Sequence, residues 1–327
     1  MAGWLHSMVW TCRSKDMDNT IAVIGDSRVA DGFSAKVADE TGKPGEVKFT
    51  NIAVYGSSPR VWYYMLREID PHASRFSVLT IMMSNYDESN EGDLANRERD
   101  VHYLAPILRS SDFFTFVGSY TSAEGKESAA ISNLLKGTAF KSDILEFLGD
   151  PKKRLDLVKI NKTMWRVSNY YYTGHPEALE GLIPDPREPG GVRLPPCTPP
   201  DDKLTLRNYF TRMNESKPEE RVATCRELWL GKILDRYRGG RIRIGIFEIP
   251  RGPLHYLKPQ APPGATLLGL QRKYGFTIIP PETFGELERP QFFCDYTHLN
   301  TLGRQRFSEK FSPLLRQIAG ASLTSTH

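Results

Sequence analysis

Four short stretches hold the residues that could move an acyl group. In the first, Ile21-Ala22-Val23-Ile24 runs straight into Gly25-Asp26-Ser27. The second ends at Gly56 and the third at Asn85. Far along the chain, Asp295 and His298 stand three residues apart, just ahead of a helical pattern. A serine hydroxyl is a poor nucleophile until a base takes its proton. His298 has the chemistry of that base, and Asp295 that of the group that holds its tautomer and stabilises the imidazolium. The N–H of Ser27, the N–H of Gly56 and the side-chain amide of Asn85 would then supply donors to an oxyanion. Parallel strands ending at Ser27, Gly56 and Asn85 would bring these residues to one sheet edge.

The elements that must position them follow from the hydrophobic pattern. Residues 21–24 read as a short buried parallel strand, and residues 29–38 have helical spacing. Gly25 permits the tight turn between them, and Asp26 fits a helix-start residue. Residues 47–54 predict a second strand. Ser58 then fits a cap and Pro59 the first position of a helix over 60–69, which Asp70-Pro71 ends. Residues 77–83 predict the third strand. Strand and helix alternating at this spacing argue for a parallel sheet with helices on both faces.

The alternation then stops. Residues 96–108, 131–140 and 144–147 read as helical pieces, residues 113–117 are apolar and aromatic, and the Pro- and Gly-rich stretch 181–202 reads as a loop. A connection of this length predicts a lid or subdomain. It divides the chain into a discontinuous catalytic domain, 19–87 with 219–320, and an inserted unit, 88–218. Trp165, Tyr170, Tyr171 and Tyr172 cluster in the insertion and fit either its core or an aromatic wall for a sugar or acyl group. The pattern resumes with a helix over 219–237, strands over 241–249 and 276–279, and helices over 265–274 and 302–318. The tail, 319–327, is small and polar and reads as frayed.

Composition narrows the function classes. With 39% hydrophobic and 25% charged residues among 327, a folded core is expected rather than disorder. The net charge of +4 is spread along the chain without a basic block, so no nucleic-acid partner is expected. The four cysteines, Cys12, Cys197, Cys225 and Cys294, form no C-x-x-C pair, and Cys294 reads as a small packing residue, not a nucleophile. No apolar run is long enough to span a membrane. Residues 1–18 lack both a sustained apolar region and a small-residue cleavage site, so no signal peptide is expected. Asp26, Asp295 and His298 could alternatively ligate a metal, but neither helical i,i+4 ligands nor a third strong ligand is evident. No cofactor is expected, because there is no P-loop and no G-x-G-x-x-G after a strand. His72, His102, His175 and His255 read as surface or packing residues.

Gly25-Asp26-Ser27, Gly56, Asn85 and Asp295-x-x-His298 resemble, in order, the four blocks of the SGNH/GDSL hydrolase family. The resemblance covers roughly residues 20–90 and 240–320. The third block departs from the family's usual Gly-x-Asn-Asp, reading Met83-Ser84-Asn85-Tyr86. The resemblance implies a three-layer α/β/α, flavodoxin-like fold, an acyl-enzyme on Ser27, and hydrolysis or transfer of esters, acetyl esters foremost. The stretch Asp295 to Gly303 is similar to the bacterial branch that modifies cell-surface polymers. This similarity implies an exported setting and motivates an alternative, an O-acyltransferase acting on a cell-surface glycan. A second alternative is a non-catalytic module that keeps the fold and uses the aromatic insertion to hold glycan.

Overall fold

The computed structural model describes residues 2–14, 17–43, 45–83, 96–196, 198, 200–215 and 222–320. Continuous apolar runs form the middle of its main sheet. β1 (Thr20–Ile24) buries all five residues, whereas β2 (Lys48–Asn51) alternates exposed and buried positions as an edge strand does. β3 (Val78–Met83) again buries every residue. β4 (Ile183–Pro184) and β5 (Val192–Arg193) form a separate antiparallel pair. β6 (Arg243–Glu248) and β7 (Thr277–Ile278) complete a five-stranded parallel sheet of order β2-β1-β3-β6-β7. This is a three-layer α/β/α fold with the flavodoxin-like strand order.

The strand order dictates where the helices go. The chain steps one way from β1 to β2 and the other way from β2 through β3 and β6 to β7. Right-handed crossovers then put the β1–β2 connection on one face and the later connections on the other. α1 (Ala2–Ser14) precedes β1. α2 (Ser27–Gly32) and α3 (Ala35–Glu40) connect β1 to β2, and α4 (Pro59–Ile69) connects β2 to β3. Among the described residues, eight α-helices lie between β3 and β6. They are α5 (Glu98–Leu104), α6 (Phe113–Gly118), α7 (Ala123–Leu134), α8 (Lys136–Ala139), α9 (Lys141–Gly149), α10 (Pro151–Tyr171), α11 (Pro200–Glu215) and α12 (Val222–Tyr237). α13 (Ala265–Tyr274) leads to β7, and α14 (Thr301–Gly320) ends the described chain. As the handedness rule requires, α4 packs on α12 and α12 on α13, while α14 packs on α2 and α3. α10 contacts both α3 and the edge strand β2, covering an edge that would otherwise be open.

Two local expectations are corrected, and one element is added. The helix read over 29–38 is two helices, because Phe33 and Ser34 turn extended. The break is held in place: Asn51 donates to the carbonyls of Val29 and Phe33, and the Ser34 N–H donates to Ser308 Oγ at 2.8 Å. Ser58 does occupy the N-cap position of α4, but its hydroxyl does not cap the helix. It donates instead to Asp100 Oδ2 at 2.6 Å, a fully buried carboxylate that also pairs with Arg60 at 3.1 Å. A buried carboxylate must be satisfied, and it outcompetes a helix terminus for the hydroxyl. The stretch before β1, read only as lacking a signal peptide, forms α1. Its Leu5, Met8, Val9 and Cys12 are buried at i, i+3, i+4, i+7 spacing and pack toward α4, α5 and α10. Of the tail, 321–327 lie outside the described residues.

Candidate active site

Ser27 is the first residue of α2, directly past the carboxyl end of β1 and one residue beyond the N-cap Asp26. Asp26 Oδ1 accepts the Arg28 N–H at 2.9 Å, which fixes the turn. A Cβ on Gly25 would lie 2.4 Å from Val29 Cγ2, so the turn admits only glycine there without displacing the helix. The Arg28 side chain reaches across to donate to the Pro250 carbonyl at 2.9 Å, tying the serine turn to the end of β6. In an open parallel sheet this carboxyl edge, beside the point where strand order reverses between β1 and β3, is where ligands bind.

The Asp295 to His298 turn faces it. Asp295 Oδ1 accepts the N–H groups of Thr297 at 2.8 Å and His298 at 2.7 Å, so the carboxylate closes its own turn. Its other oxygen meets His298 Nδ1 at 2.7 Å. A carboxylate can only accept, so Nδ1 carries the proton and Nε2 presents its lone pair. Nε2 lies 2.9 Å from Ser27 Oγ. The Cys294 N–H donates to the His298 carbonyl at 3.0 Å, bracing the turn from behind.

The charges agree with this geometry. Burial alone would push the Asp295 carboxyl up. The hydrogen bond and positive charge of His298, with the two backbone N–H donors, outweigh it and hold the carboxyl below its usual range. Burial alone would push the His298 imidazole down. Asp295, and behind it Asp31 and Asp26, outweigh that and raise it above its ordinary value. Burial, followed by the Asp295 charge, pushes the nearby Cys294 thiol up to about 12, so it stays protonated.

Gly56 takes the left-handed conformation, φ +60°, in the turn between β2 and α4. Its neighbour Ser57 donates to the carbonyls of Val54 at 2.7 Å and Gly25 at 3.2 Å, and Trp62 Nε1 donates to the Ser57 hydroxyl at 2.7 Å. Together with the Val54 N–H on the Gly25 carbonyl, these bonds lay the Gly56 turn against the Ser27 turn. Thus Ser27, Gly56, Asp295 and His298 share one edge of the sheet. Asn85 lies outside the described residues.

Sequence reasoning missed a second layer beneath these residues. Asp31, 3% exposed, accepts a hydrogen bond from the Tyr55 hydroxyl. Arg304, fully inside α14, donates to the carbonyls of Ala30 at 2.8 Å and Asp31 at 2.5 Å, closing the end of α2. Its guanidinium lies 5.0 Å from the Tyr172 ring centre. The signal available was an arginine on the apolar face of a helix, in register with Phe307, Phe311 and Leu315. Nothing local said which carbonyls it would take.

The aromatic cluster of the insertion divides. Tyr170 donates to Asp39 Oδ2 at 2.9 Å, Tyr171 is exposed, and Tyr172 faces Arg304 and Asp31; the Trp165 side chain lies outside the described residues. Tyr170 and Tyr172 therefore anchor the end of α10 to the layer of α2, α3 and α14. The aromatic ring that the insertion does bring to the Asp295 turn is Tyr209 of α11, stacked on Tyr296 at 3.7 Å. Of the other histidines, His255 is held neutral, pushed down to about 3 by burial and then by Arg251, Lys258 and Arg28.

Among the described residues no group of three His, Cys, Asp or Glu side chains could hold a metal ion, and no helix is long and apolar enough to cross a membrane. No known family model and no curated protein matches the chain.

Proposed function

We propose that the chain is a serine ester hydrolase of the SGNH type, acting on acyl esters, acetyl esters foremost, through an acyl-enzyme. One observation carries this reading. A hydroxyl, an imidazole and a carboxylate stand in line at 2.9 and 2.7 Å, and the hydroxyl comes from the opposite end of the chain to the other two. Serine hydroxyls meet histidines elsewhere in proteins, but a histidine oriented by a carboxylate on its far nitrogen is what nucleophile activation needs.

In this reading Ser27 Oγ attacks the ester carbonyl carbon as its proton passes to His298 Nε2. Asp295 keeps Nδ1–H in place and offsets the imidazolium charge. The oxyanion accepts from the N–H groups of Ser27 and Gly56 and from the Asn85 amide. The carbon–oxygen bond to the alcohol breaks, and His298 returns its proton to the departing oxygen. Water, deprotonated by the same nitrogen, then attacks the acyl-enzyme, releases the acid and restores Ser27. No metal or cofactor takes part.

Fluorophosphonate labelling tests the nucleophile. Labelling of Ser27 that Ser27→Ala and His298→Ala abolish supports an enzyme. Folded protein that never labels would leave a binding module. A chromogenic acetyl ester offered with and without a glycan acceptor separates the two reactions: acetyl groups appearing on the glycan at the expense of hydrolysis would make the chain an O-acyltransferase instead.

A further inference from the structure

We infer that the ester this site takes carries a negatively charged group close to its carbonyl, received by Arg99 with Arg97 behind it; this rests on the esterase reading above. Arg97 is the N-cap of α5 and Arg99 is its second residue; α5 lies across the Gly56 turn. Tyr103 of α5 donates to the Tyr55 carbonyl, and Arg97 Nη1 donates to the Ser57 carbonyl at 3.4 Å. Arg99 lies closer still. A Cβ built on Gly56 would meet Arg99 Nη1 at 2.3 Å, Cδ at 3.3 Å and Cζ at 3.4 Å. The guanidinium therefore rests on the open face of the glycine whose N–H is a candidate oxyanion donor. The Gly56 turn is itself bonded to the Ser27 turn through the Gly25 carbonyl.

Among the described residues neither arginine forms an ion pair, although Arg97 acts on Asp100 through its charge. Asp100, which follows Arg99 on the buried side of the helix, is taken by Arg60 and Ser58. Glu98 is exposed and forms no ion pair with either arginine. Arg99 is exposed, so its charge stays in reach of solvent and of a ligand. Two like charges two residues apart repel. With no ion-pair partner among the described residues, the exposed Arg99 at the rim of the Ser27 turn raises the local concentration of anions. The planar guanidinium fork matches a carboxylate best, with two parallel N–H donors. A carboxylate on the acyl chain and one on the alcohol would present the same chemistry.

The test compares three chromogenic esters on the full chain: neutral 4-nitrophenyl acetate, mono-4-nitrophenyl glutarate with its charge on the acyl side, and 4-acetoxybenzoate with its charge on the alcohol side. For each, kcat/KM is measured in the wild type, Arg99→Gln and Arg99→Lys. The expected result is that Arg99→Gln lowers kcat/KM for one of the anionic esters by about tenfold more than for the neutral ester, the scale of one charge-assisted hydrogen bond. Arg99→Lys should restore part of that loss, and which anionic ester responds tells which side of the ester bears the charge. If hydrolysis depends on Ser27 but all three esters lose equally in Arg99→Gln, the anion subsite is wrong and the esterase reading stands. If no ester is consumed in a way that Ser27→Ala abolishes, both fall.

Discussion

The Tyr55 hydroxyl donates to Oδ1 of Asp31, one turn beyond Ser27 on the same helix. Tyr55 also precedes Gly56, so this bond ties the Gly56 turn to α2. Asp31 contributes its charge to His298, adding to the rise caused first by Asp295. Asp31→Asn keeps an acceptor for Tyr55 but removes that charge. With less to stabilise the imidazolium, His298 should lose its proton at lower pH. The acid limb of the kcat/KM profile should therefore move to lower pH, while Tyr55→Phe should leave the limb in place and lower the rate. A limb unmoved in Asp31→Asn would mean that the carboxylate does not act on His298.

The Asp295–His298 pair should also show in stability. The imidazole is raised above 6.5, so its bound proton stabilises the fold fully below 6.5, and this contribution fades as pH rises through the folded value. The carboxyl is held below 3.8, so its contribution is complete above 3.8 and fades as pH falls through the folded value. Between those limits both contribute. Asp295→Asn should therefore lower Tm more at pH 5.5 than at pH 9, read by thermal denaturation at the two pH values. Both groups are partly exposed, so solvent screening keeps the effect small.

Activity should separate the residues by role. Ser27→Ala and His298→Ala should each lower kcat by roughly a thousandfold or more, with the double variant little worse, because the two act as one unit. Gly56→Ala meets two obstacles, the positive φ and the Arg99 guanidinium. Because Arg99 is the far end of a flexible chain, it can move aside, and the backbone strain of about 1 kcal/mol is what remains. Alanine keeps the backbone N–H, so the variant should stay folded by circular dichroism and lose kcat only as far as the strain turns that N–H away from the Ser27 turn, up to about a hundredfold. Unchanged kcat would mean that the turn keeps its geometry despite the strain.

Arg304 should matter to folding more than any residue of the triad. Its guanidinium is enclosed and holds the carbonyls of Ala30 and Asp31. Arg304→Met removes the donors and leaves both carbonyls buried without them. The expected loss is about 3 kcal/mol, seen as a lower urea midpoint at an unchanged slope. A midpoint within experimental error of the wild type would show that Arg304 does not anchor α2.

Much of this protein was legible in its residues. Apolar runs marked β1 and β3 as central strands, Gly-Asp-Ser marked the turn, and Asp295-x-x-His298 closed its own loop, because each of these is decided within a few neighbours by burial, backbone freedom or a short hydrogen bond. The spacing of Leu5, Met8, Val9 and Cys12 carries α1 too. The tertiary structure decided the rest. Ser58 leaves its helix for Asp100, the helix after Ser27 breaks at Phe33, and Arg304 finds the end of α2, because a buried polar group takes whichever partner the fold brings, however distant in sequence. The same holds for the 2.9 Å contact between Ser27 and His298, 271 residues apart: strand order and crossover handedness made it, and no local pattern encodes either.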